Sequence, residues 1–259
     1  MFRRALYVIA GLSVVATFAI AGEASTVISD AILGAVADSH RPPEQTKLDT
    51  QRKPAQLLAF AGIKAGDRIA DFMPGNAYFT RIFSKVVGPT GQVYAFIPAE
   101  EVRNCPPAEV AGSRAVEHDP VYGNVAQLSA RVNQFSTPHR LDVLWTAQNY
   151  HDLHDKFMGP ANIELLNKAF FDSLKPGGVL IIIDHAAVSG SGLRDTERLH
   201  RIDPRSVRKE IEAAGFVFEA QSDALKNIDD DHSRSVFDSS IRGRTDQFVF
   251  RFRKPEMPR

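Results

Sequence analysis

The sequence predicts an α/β domain built on a mostly parallel sheet, and three observations carry that expectation. From about Leu48 onward, apolar runs of strand length alternate with amphipathic stretches of helix length, the alternation that βαβ units require. Residues 179–184 (VLIIID) are apolar almost throughout, as a strand covered on both faces must be. The chain has 259 residues, 44% of them hydrophobic, which suffices for one large core without staples.

The elements follow in order. Arg3 and Arg4 precede an apolar run over 5–21, and Ala19 and Ala21 are the small residues a signal peptidase accepts. This reads as a signal peptide over 1–21, or as an anchor where it is not cleaved. Charge bias keeps the arginines inside and sends the body across the membrane. The expected location is therefore periplasmic or secreted, with membrane contact only through this segment. Residues 22–47 are a polar lead-in with one short helix within 26–37, ended by Arg41-Pro42-Pro43. The domain proper is expected over 48–254, with 255–259 as a tail.

A first strand is predicted over 68–73 and a helix over 78–87, where Phe79, Ile82, Phe83 and Val86 share one face. Residues 88–91 (GPTG) stop it, and 92–97 form a second strand. A short third strand is expected over 113–118 and a fourth over 141–145. A helix over 161–174 ends at Lys175-Pro176-Gly177-Gly178, before the fifth strand at 179–184. Asp203 and Pro204 suit an N-cap and a first helical position, Val207, Ile211 and Ala214 form its stripe, and Gly215 closes it. Two strands, 216–220 and 247–252, finish the chain. The long polar stretch between them exceeds any hairpin turn and is expected to be a functional loop or flap.

Composition narrows the function. Lys and Arg number 31, as do Asp and Glu, so the formal net charge is zero and no overall field recruits nucleic acid. Cys105 is the sole cysteine, which excludes an intramolecular disulfide and any cysteine-built zinc or iron–sulfur centre. Asp229-Asp230-Asp231-His232 lacks the glycine and distal glutamate of a calcium loop and reads as a solvated acidic turn.

In an open parallel sheet, ligands bind at the carboxyl ends of the strands. The loop after the first strand holds Asp71, Pro74, Gly75 and Tyr78. A glycine there lets backbone approach a ligand closely. After the fourth strand come Asn149, Tyr150, His151, Asp152, His154 and Asp155. Among them His151 is the best base by side-chain chemistry, oriented by Asp152 or Asp155. His185, at the end of the fifth strand, is a second. A rival reading has His151 and His154 grip a divalent metal, with His185 or His200 as third ligand. The preferred site has no metal.

The motifs together carry a resemblance. Asp71 to Tyr78, Val93-Tyr94-Ala95-Phe96, Leu141-Asp142-Val143-Leu144-Trp145, Leu174-Lys175-Pro176-Gly177-Gly178 and Ala213-Ala214-Gly215-Phe216 occur in an order that resembles class I S-adenosylmethionine (SAM)-dependent methyltransferases. Asn149-Tyr150-His151-Asp152, Asp184-His185-Ala186, His200-Arg201-Ile202-Asp203 and residues 241–246 (IRGRTD) look like a bacterial family of predicted methyltransferases that often carry signal peptides. The resemblance implies a Rossmann-like seven-stranded sheet, helices on both faces and the last strand antiparallel. It implies SAM as cofactor, a small-molecule substrate as methyl acceptor, and cofactor contacts from Asp71, Pro74, Gly75, Tyr78 and Asn149. Glu100, with Glu101 beside it, stands nearest the place of the ribose-binding acid, and Asp119 where an adenine contact falls. His151, Tyr150, Asp152 and His185 take the acceptor side, and Phe72, Tyr78 and Tyr150 offer rings to a sulfonium. Two of the family's three loop glycines are replaced, by Met73 and Ala77. Met73 would then stand where cofactor lies, and this keeps an alternative open, an inactive ligand-binding protein on the same scaffold.

Overall fold

A computed structural model describes residues 27–159 and 161–256. The segment read as a signal peptide lies outside these residues. Among the described residues no helix is long and apolar enough to cross a membrane.

Seven strands form one sheet: β1 (Arg68–Phe72), β2 (Gln92–Pro98), β3 (Val125–Ala130), β4 (Leu141–Ala147), β5 (Leu174–His185), β6 (Val217–Ser222) and β7 (Gln247–Arg253). Their order is β3-β2-β1-β4-β5-β7-β6. Strands β1 to β5 pair in parallel. Strand β7 inserts antiparallel between β5 and β6, so the expected fold class holds.

Side-chain alternation sends each strand's residues to two separate cores. Ile69, Val143 and Trp145 join Phe79, Ile82 and Phe83 on one face. Ala70, Phe72, Leu144 and Leu180 join Leu166, Phe170, Val207 and Ile211 on the other. The helices Pro54–Ala61 and Tyr78–Val87 cover the first face, and Ile163–Ser173 and Pro204–Ala213 the second. As expected, the Asp203 side chain caps the last of these through the Arg205 N–H (3.0 Å).

Three expectations need correction. Residues 113–118 form no strand: they close the helix Pro107–Glu117, whose Val110 and Val116 point into the protein. The third strand is β3, with only Val125 buried, because an edge strand needs no apolar run. Residues 175–178 belong to β5, with a register shift against β4. The acidic turn at 229–232 is only partly solvated. Asp230 is buried and ion-paired to the fully buried Arg201 (2.9 Å). That pair ties the long 223–246 connection to the body.

Candidate functional site

The site lies where β1, β2, β4 and β5 end. Beyond β1 the chain passes through Met73, Gly75 and Ala77, with φ of 56°, 54° and 59°. All three places keep the left-handed backbone that suits glycine, although two carry side chains. Such a conformation costs a non-glycine residue about 1–2 kcal/mol, so the surroundings must hold it. Asn149 Nδ2 donates to the Met73 carbonyl (2.8 Å), and Ser113 Oγ to that of Gly75 (2.5 Å). Gln45 Nε2 and Arg81 Nη1 both donate to the Asn76 carbonyl at 2.7 Å. Gly112 packs so closely that a Cβ there would stand 2.5 Å from the Asn76 oxygen. Below the loop, Asp71 is buried and accepts from Thr80 Oγ1 at 2.6 Å. Burial pushes its carboxyl up to about 7.

Two cavities open beside this loop. The first, about 490 Å³, is lined by Arg52, Pro74, Gly75, Tyr78, Gln148 and Asn149, among others. The second, about 370 Å³, is lined by His151, His185, His200, Phe157, Val236 and Phe237, among others. Met73, Glu101, Gln148 and Asp152 belong to both walls. Met73 therefore does not plug the first cavity. Its side chain is 7% exposed and packs into the core between the two.

In the second cavity His151 is almost wholly buried and held at both ring nitrogens. Nδ1 lies 2.8 Å from Asp184 Oδ1, and Nε2 3.1 Å from Asp152 Oδ1 and 3.2 Å from His200 Nδ1. Asp184 also accepts from the backbone N–H groups of His151 and His185, both at 2.8 Å. Burial opposes the charged ring, but the two carboxylates outweigh it and raise the His151 pKa well above the usual value. Asp152 is lowered to about 2: burial works against its charge, and the His151 partner overrides it. At neutral pH the two carboxylates hold this ring toward its protonated form. His185 is neutral there, since burial pulls it down to about 3. Its Nδ1 lies 2.8 Å from Thr245 Oγ1.

Other expected site residues stand elsewhere. Tyr150 is buried away from both cavities, donating to Glu210 Oε2 (2.9 Å) and accepting from Asn167 (2.8 Å). Glu100 accepts the Val132 N–H at 2.9 Å, and it is Glu101 that lines the cavities. Asp119 precedes β3 rather than following it, is not among the residues named in either cavity wall, and caps a short turn through the Val121 N–H (2.9 Å). Phe72 is core, stacked on Phe96 at 5.6 Å. Tyr78 lines the first cavity, but Arg52 lies 4.6 Å and Arg41 5.2 Å from its ring centroid, so guanidinium groups hold the place a sulfonium would take. His154 Nε2 lies 3.3 Å from Glu210 Oε2, which separates it from His151. Sequence reasoning missed Arg52 and Gln148. Gln148 has a positive φ of 65° just after β4, and Arg52 Nη2 donates to its Oε1 at 3.3 Å across 96 positions of chain.

No family model matches the chain. Among curated proteins it is similar to the ubiquinone/menaquinone biosynthesis C-methyltransferases UbiE. Identity is 27% over 128 residues with that of Saccharophagus degradans and 27% over 138 residues with that of Pseudomonas aeruginosa. These matches take in 49% and 52% of this chain and 46% and 48% of those proteins, so the chain spans about half the length of the curated relatives it matches. Solved structures share the fold. A SAM-dependent methyltransferase from Aquifex aeolicus aligns with a TM-score of 0.55 at 18% identity, covering 82% of this chain and 93% of that one. One from Mesorhizobium loti aligns at 0.55 and 14%, covering 80% and 99%. Strand order and the structural matches give this chain the fold of class I SAM-dependent methyltransferases, and the sequence match makes it similar to members of that superfamily.

Proposed function

We propose that the protein transfers a methyl group from SAM to a small-molecule acceptor. The observation that carries this reading is the pair of cavities meeting at Met73, Glu101, Gln148 and Asp152, one suited to a donor and the other to an acceptor. Methyl transfer is a displacement in which a protein chiefly aligns two reactants, so adjoining cavities with a common wall are what it needs.

The residues of the first cavity fit the cofactor. Its size falls within the roughly 300–1,000 Å³ of small-molecule sites, and Gly75 leaves its wall bare of side chain. Arg52 has no ion-pair partner among the described residues and offers its guanidinium to the methionine carboxylate. Glu101 is the carboxylate for the ribose hydroxyls, and Asn149 fixes the loop from behind. When bound, SAM supplies an electrophilic methyl group. His185, neutral and on the second cavity's wall, accepts a hydrogen bond from the acceptor. The apolar run over 5–21 behind Arg3 and Arg4 supports a location outside the cytoplasm as part of the same proposal.

Calorimetric titration with SAM and S-adenosylhomocysteine tests the reading. Binding of both is expected, weakened at least tenfold in Arg52→Met. If neither ligand binds the folded wild-type protein, the reading fails.

A further inference from the structure

Three ligand atoms at the mouth of the second cavity close a triangle. His151 Nε2, Asp152 Oδ1 and His200 Nδ1 lie 3.1, 3.2 and 3.6 Å apart. They are brought together from two separate places, the turn after β4 and the left-handed His200 (φ 53°) behind the helix Thr196–Leu199. Nitrogen and oxygen ligands around a first-row divalent ion sit about 2.0–2.2 Å from it and therefore about 3.0–3.6 Å from one another. The observed triangle admits an ion about 2.1 Å from every corner, just off its plane.

We infer that His151, Asp152 and His200 bind a divalent transition-metal ion through two imidazole nitrogens and one carboxylate oxygen.

Several features beyond the spacing support this. His151 Nδ1 is engaged by Asp184 Oδ1 at 2.8 Å, so Nε2 is the nitrogen turned to the triangle, and a bound metal would displace its proton. A metal-bound histidine is commonly anchored by a carboxylate in this way, fixing its tautomer and raising its basicity. Asp184 is itself fixed by two backbone N–H groups and is fully buried, so the anchor does not move. His200 is partly exposed and its ring packs against Phe237, centroids 4.7 Å apart, giving an ion a route in. Two imidazoles with one carboxylate suit manganese, iron, cobalt, nickel or zinc rather than calcium or magnesium. All three residues line the 370 Å³ cavity, so positions left open on the ion face it and can take an oxygen ligand of a small molecule. The inference stands apart from methyl transfer, because nothing in the triangle depends on SAM.

The test is titration of chelator-treated protein with Co²⁺ and Zn²⁺, without SAM. One equivalent of Co²⁺ is expected to bind and give visible d–d bands, displaced by Zn²⁺. Asp152→Asn and His200→Asn are each expected to weaken Zn²⁺ at least tenfold. His200→Asn is chosen because asparagine tolerates a left-handed backbone, and circular dichroism checks that it folds. Asp184→Asn, a change at the positioning residue, is expected to weaken Zn²⁺ roughly 10–100-fold, with the Co²⁺ bands shifted rather than abolished. Absence of Co²⁺ bands in the wild type, or unchanged Zn²⁺ affinity in folded His200→Asn, overturns the site. Running the SAM titration separately on the same preparation distinguishes this failure from failure of the methyltransferase reading.

Discussion

At Met73, Gly75 and Ala77 the backbone keeps one conformation while the side chains change, so local preference is overridden by what surrounds the loop. Met73 is held by the Phe96 carbonyl (2.9 Å) at its N–H and by Asn149 at its own carbonyl. Beneath it, Asp71 has a measurable consequence. Its folded pKa of about 7 lies above the ordinary carboxyl value of 3.8, so the folded state binds more protons between these values. The contribution is fully present below about pH 4 and is lost as pH rises through about 7. Asp71→Asn should remove this slope, so the wild type should lose stability relative to the mutant, by an amount of the order of 4 kcal/mol across that range. Urea unfolding at several pH values checks it; parallel curves for the two proteins would refute it. The lone residues that sequence reasoning missed are those whose meaning is a contact across the fold. Nothing near Arg52 in the chain marks it, whereas Gly75 stands in a recognisable strand-to-helix turn.

Among elements, those with a period strong enough to fix their face were readable. The helix Tyr78–Val87 and the buried part of β5 are legible because one has a stripe and the other is apolar throughout. Strand β3 was not, since VAQLSA buries only its first residue, and the helix Pro107–Glu117 in front of it has few apolar side chains to mark a face. That one shift of a strand also moved Asp119 from the end of the third strand to a turn before it. The 223–246 connection has no period at all, yet it is not loose: Arg201 donates to the Arg234 and Ala186 carbonyls (both 2.9 Å) and pairs with Asp230. Breaking a buried pair by removing one partner leaves the other charge stranded, at about 3–5 kcal/mol. Arg201→Ala should cost about that much, with faster amide exchange in residues 223–246 ahead of the sheet. Uniform acceleration across the whole domain would mean that the pair holds the core rather than this segment.

The molecule as a whole presents both cavities on the same edge of a rigid sheet, and ligand binding should register as global stability. At a SAM concentration of 100 times its Kd, the folded state gains about 2.7 kcal/mol. For a domain of this size that is a rise in Tm of roughly 5–10 °C, read by calorimetry. An unchanged Tm at saturating ligand would show that binding does not favour the native state.

Met73, Glu101, Gln148 and Asp152 form a party wall between the two chambers. A tenant on either side leans on the same four side chains, and Asp152 doubles as a corner of the histidine triangle. Thermodynamic reciprocity then requires that whatever the first arrival does to the second's affinity, the second does to the first's by the same factor. Dissociation constants taken one ligand at a time would thus describe two half-furnished rooms, and the ternary assembly would have an affinity of its own.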